Sequence, residues 1–208
     1  MGVTKGEESV LDQSTAWFGN AGEFFAMGPL LAFSRAMDAI ATQFGKLAEW
    51  MVALACLISA GNAVSRYGLG LSSNAWLEVQ WYLFAGTVML GSAHTLHRNG
   101  HVRVDLLYGN ISERARLWVD VFGLVVFLLP GMALLTWMTW PFFVESYFRD
   151  EISSNAGGLI RWPVKLVMPL GFALVALQGL SELVKRIVLL RGDRPDVPVV
   201  AAYERPSQ

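Results

Sequence analysis

VFGLVVFLLPGMALLTWMTWPFFV, residues 121–144, runs for 24 positions without an Asp, Glu, Lys or Arg. At about 1.5 Å of rise per residue such a helix is about 36 Å long, enough to cross the roughly 30 Å hydrocarbon core of a bilayer. Three shorter charge-free stretches flank it: Trp50–Ser65, Val79–His97 and Leu166–Ser181. The first and last hold 16 residues each, and they reach spanning length if the charged side chains at their ends snorkel to the interface. The expected fold is therefore all-α and integral to a membrane. Four transmembrane helices are expected at about 47–67, 77–97, 117–141 and 164–187.

Composition points the same way. Of 208 residues, 54% are apolar and 16% charged, against roughly 25% charged in soluble domains. The mean hydropathy is +0.43. A formal net charge of −1 gives no electrostatic footprint for nucleic acid, so no nucleic-acid partner is expected. The single cysteine, Cys56, excludes an internal disulfide and a multi-thiolate metal site. Eight Trp suit a chain that meets the headgroup layer, where Trp50, Trp76, Trp81, Trp140 and Trp162 are expected.

Lys and Arg set the orientation. With the N-terminus inside, twelve Lys and Arg lie on the inner side and four (Arg66, Arg149, Arg161 and Lys165) on the outer. Both termini are accordingly expected in the cytoplasm. Residues 1–29 are read as a poorly ordered polar tail, and residues 191–208 as a cytoplasmic C-terminal tail. Between the N-terminal tail and the first span, Leu30, Phe33, Met37, Ile40 and Phe44 recur at helical spacing, with Arg35, Asp38 and Gln43 off that stripe. An amphipathic helix over 30–46 is expected, either lying at the membrane interface or extending the first span. Ser112 is placed to cap the third helix, and Pro130 should kink it. Residues 153–158 and then Trp162-Pro163 read as a turn followed by a helix start.

The sequence places every Asp, Glu, Lys and Arg at a span end or in a loop, where a carrier or pump would keep one at the midplane. Asn62 and Gln178 are the notable amides within spans, and interhelical hydrogen bonds are their expected use. His94, His97 and His101 follow one another on a short segment, whereas a bis-histidine haem needs ligands from facing helices. No catalytic residue, cofactor or metal is expected. Glu49 opens the first span at its cytoplasmic end, which argues against a small exporter built on one central glutamate.

Several motifs in order resemble one family. Ser73–Phe84 (SNAWLEVQWYLF) and Gly100–Asp105 (GHVRVD) are similar to the small membrane subunit, the DctQ-like permease, of tripartite ATP-independent periplasmic (TRAP) transporters. Asn155–Leu159 (NAGGL), Arg161–Lys165 (RWPVK) and Leu177–Glu182 (LQGLSE) fit the same family, and the likeness runs over about residues 30–190. The resemblance implies a non-catalytic subunit of the bacterial inner membrane. Its partners would be a large multi-span subunit that moves the solute with a cation gradient, a periplasmic solute-binding protein that captures a small organic acid, and the lipid bilayer. Glu78, Gln80, His101, Arg103, Asp105, Asn155, Arg161, Trp162 and Lys165 match its motifs and are expected at subunit contacts or fixing loops. Small-residue faces bearing Gly86 and Gly91, or Gly171 and Gly179, are expected to meet the large subunit. The alternative reading is the membrane anchor of a quinone-linked redox complex.

Overall fold

A computed structural model describes residues 5–71, 73–100, 111–155 and 157–191, with side chains from residue 28 onward. His101, Arg103 and Asp105 lie outside the described residues. The described chain is helical apart from short connections. Its helices are α1 (Lys5–Leu69), α2 (Asn74–His97), α3 (Glu113–Phe148) and α4 (Trp162–Arg191). Ser73 caps α2 and Ser112 caps α3, their hydroxyls accepting from the backbone N–H of Ala75 and Ala115. Each cap satisfies an amide that the helix itself leaves open.

Among the described residues three helices are long and apolar enough to cross a membrane: Gly28–Leu69, Glu113–Phe148 and Trp162–Arg191. These cover three of the four spans expected from the sequence, and α2 packs beside them. At 24 residues α2 has the length. It also carries Glu78, Gln80, Ser92, His94, Thr95 and His97, which lower its apolar content.

α1 is the longest of the four described helices. Residues 5–69 form one continuous helix. Gly45 is the only glycine or proline between residues 30 and 60, and one glycine does not end a helix. The face that α1 buries follows the apolar stripe only in part. Ser34, Met37, Ala41, Gly45, Ala48 and Ala55 point inward and Phe33 and Phe44 are half-buried, while Leu30 and Ile40 are 49% and 40% exposed. Small residues inside and large apolar ones outside is the arrangement of a helix in lipid, where close backbone approach drives packing.

α1 and α2 form an antiparallel hairpin, with Gly45 beneath the His94 ring, Gly91 against Ala48 and Gly86 against Met51. α4 runs parallel to α2 and antiparallel to α1, and it touches all three other helices. α3 packs chiefly on α4, with Gly179 beneath Leu128. Gly86, Gly91, Gly171 and Gly179 thus each contact another helix of the chain itself. Pro130 has its effect through a π-turn at Leu124–Leu128, immediately before it. Proline offers no N–H and crowds the carbonyl four residues earlier, and a wider turn relieves both problems.

Candidate functional site

Two polar clusters sit at opposite ends of the bundle. At the first, the connection between α3 and α4 folds over the start of α2. Ser153 Oγ donates to Glu78 Oε1. Asn155 Nδ2 donates to the same oxygen at 2.6 Å, and the Leu159 backbone N–H donates to Oε2 at 2.8 Å. The buried Glu78 carboxylate thus gathers three donors from one loop. Gly157 turns that loop with φ +71°, a region that L side chains rarely adopt. A side chain at Gly158 would collide with the Ser153 carbonyl oxygen 2.5 Å from its Cβ.

Beside this clamp Glu151 accepts from Lys165 Nζ, and Arg161 Nη1 lies 3.5 Å from its other oxygen. The Lys165 ammonium holds the Glu151 carboxyl below the usual carboxylate range, so the pair stays charged into mildly acid solution. Lys165 also sits 3.8 Å over the Phe142 ring. The Trp162 ring meets Tyr147 edge-on at 5.6 Å and joins the end of α3 to the start of α4. Gln80 is buried, and its Nε2 has no partner among the described residues.

Glu78→Gln should loosen this loop. A neutral amide gives up the charge-assisted bonds and turns one donor toward groups that need an acceptor. Backbone hydrogen exchange at Ser153–Leu159 is expected to rise several-fold, with the helices unaffected. Unchanged exchange would mean the clamp does not hold the loop.

The second cluster ties all four helices together. Lys185 Nζ donates to Asp38 Oδ1 of α1 at 2.7 Å and to Glu182 Oε1 at 2.8 Å. Arg186 reaches Asp120 Oδ2 of α3 at 2.9 Å and Glu182 Oε2 at 2.6 Å. Gln178 Nε2 donates to Asp38 Oδ1 at 2.9 Å, Ser34 and Ser181 hydroxyls meet at 2.8 Å, and His97 Nδ1 of α2 lies 3.1 Å from Asp38. Sequence reasoning missed this network, although Gln178, Ser181, Glu182 and Lys185 form a polar stripe at helical spacing on α4. Of the two amides expected to bond between helices, Gln178 does so. The Asn62 side-chain oxygen has no partner among the described residues.

Asp38, His97 and Glu182 each point one ligand atom to a common place, within 4.8 Å of one another. That is a metal-like spacing, but the Lys185 ammonium bridges the two carboxylates and already supplies the positive charge. The cluster is a helix-locking ion network.

The clusters also measure the bundle. Glu78 and His97 are 19 residues apart on α2, about 28 Å along the axis, and Lys165 and Glu182 are 17 apart on α4, about 26 Å. Both spacings approach the roughly 30 Å of hydrocarbon in a bilayer. Most of the surface between them is apolar, with Leu57, Trp81, Phe127 and Trp137 among the exposed side chains.

The sequence model of the DctQ component of tripartite ATP-independent periplasmic transporters matches residues 54–189. The chain belongs to that family. No curated protein matches it, and no solved structure does. As a DctQ-type chain it is a component of a transporter in the inner membrane, whose other members are a large membrane subunit and a periplasmic binding protein. The loop clamp at Glu78 and the α4 half of the ion network fall within the matched segment, whereas Asp38 and Glu49 precede it.

Proposed function

We propose that this DctQ-type chain is the non-transporting scaffold of its importer, a four-span body that holds the large subunit at a fixed depth while that subunit carries the solute. The observation that carries the reading is the pair of internally bonded polar clusters about 26–28 Å apart, joined by a mostly apolar belt. Charged groups locked to one another at both ends resist vertical displacement, because shifting the bundle would draw one cluster into hydrocarbon. A moving carrier needs such a stationary neighbour.

Orientation follows from the positive-inside rule. α1 begins and α4 ends at the ion-network end, and twelve of the chain's Lys and Arg fall on that side of the expected topology. In this reading the ion network is cytoplasmic and the clamped loop periplasmic. Arg161 and Asn155 are then positioned near the face where a solute-loaded binding protein docks, with His101, Arg103 and Asp105 on the cytoplasmic side. The solute is a small organic acid, and its uptake is coupled to a cation gradient. Nothing favours the redox-anchor reading: the described histidines, His94 and His97, lie on one helix, and the family is a transporter's.

A mild-detergent pull-down of the tagged chain from its native membrane tests this, with mass spectrometry identifying what is retained. Recovery of a large polytopic carrier subunit is expected. Recovery of redox subunits, or a haem-coloured homo-oligomer, would overturn it.

A further inference from the structure

Glu49 is not where its sequence context puts it. It follows the Ala48–Gly91 contact and precedes the Met51–Gly86 contact between α1 and α2. Gly91 and Gly86 are 6 and 11 residues from His97, about 9 and 16 Å along α2. They are 13 and 8 residues from Glu78, about 20 and 12 Å. Glu49 therefore lies near the middle of the distance between the two polar clusters. Its side chain is exposed on the outer surface of the bundle, and no described residue forms an ion pair with it. A carboxylate facing hydrocarbon at that depth is costly and marks a functional surface.

The carboxylate also has a setting. Between α1 and α2, lined by residues of these two helices, runs an open groove of about 420 Å³. Gly45, Ala48 and Gly91 make it shallow, Thr87 and Ser92 line it, and Glu49 stands on its wall. His94 lines it as well, with Nδ1 inaccessible to solvent and without a hydrogen-bond partner among the described residues.

We propose that this groove is the seat of a membrane-spanning helix of the large transporter subunit, and that this helix presents a Lys or Arg side chain to Glu49. The inference rests on the scaffold reading and adds the surface and its chemistry. Charge selects the occupant. Lys46, one turn earlier on α1, is exposed as well, but no ion pair joins it to Glu49, so the carboxylate calls for a cation at its own depth, and a lipid tail supplies none. Shape agrees, since small residues let a second helix approach closely. The other long apolar faces, such as that of α3 with Phe127 and Trp137, carry no charge at this depth and serve as lipid contact.

The test uses the full chain co-expressed with the large subunit recovered in the pull-down. A photo-crosslinking residue at Val88, which lines the groove, is expected to capture the large subunit, and one at Phe127 is not. Glu49→Lys should lower co-purified large subunit by about tenfold or more, because it sets two cations against each other. Val88→Trp should do the same by filling the groove. Both variants should elute from detergent as the wild-type chain does when expressed alone. Capture from Phe127 in place of Val88 would overturn the assignment, as would wild-type co-purification of Glu49→Lys. In both cases the wild-type chain still recovers its partner and the scaffold reading stands. A wild-type chain that recovers no large subunit overturns both.

Discussion

Lys185→Met is expected to destabilise the isolated chain by about 3–5 kcal/mol, the usual cost of removing one partner from a buried ion pair. The Lys185 side chain is 4% exposed, and its ammonium is shared by Asp38 and Glu182. Arg186 still serves Glu182 in the variant, but Asp38 keeps only the Gln178 amide, a serine hydroxyl and His97. One carboxylate is left buried without a cation. Because Asp38 belongs to α1 and Lys185 to α4, the loss should separate helices whose partners lie 147 positions apart in sequence. Thermal unfolding in detergent reads the effect directly. Adding Asp38→Asn to Lys185→Met should recover much of the loss, since the uncompensated charge is then gone. A single variant within about 0.5 kcal/mol of wild type would show that the network does not hold the helices.

What the sequence revealed depended on whether the cause was local. Residues 121–144 announce a membrane helix because span length and absence of charge are properties of one stretch. The turn at residues 153–158 and the caps Ser73 and Ser112 are local in the same way. The acceptor for that turn, Glu78, lies 77 positions from Asn155, and only the family resemblance marked both residues. Asp38 is a similar case: on its own helix it lies off the apolar stripe, and its partners come from α2 and α4. A charge beside an apolar run, such as Glu49, reads as a span end, and its level against α2 appears only when the α1–α2 contacts fix the register. The glycines were recognised as points of close approach, but a glycine does not say whether the neighbour belongs to the same chain.

Gly171→Val separates those two meanings. A Cβ at Gly171 would lie 2.7 Å from Met89 Cβ, 2.8 Å from its carbonyl oxygen and 3.0 Å from its carbonyl carbon. None of these atoms swings away on a side-chain rotation, so α2 and α4 must part. Overpacking of this kind costs about 1–3 kcal/mol, and a β-branched residue against backbone belongs at the upper end. Gly86→Ala is the control. Its new Cβ would meet the Met51 sulfur at 2.7 Å, the far end of a flexible side chain that can turn aside. The expected order in thermal unfolding is a large fall for Gly171→Val and a fall of less than about 1 kcal/mol for Gly86→Ala. The decisive condition is that the fall appears in the chain purified alone. A glycine kept for a partner subunit would leave the lone chain unharmed and weaken only the assembled transporter. A glycine kept for α2 against α4 must damage the chain before any partner arrives.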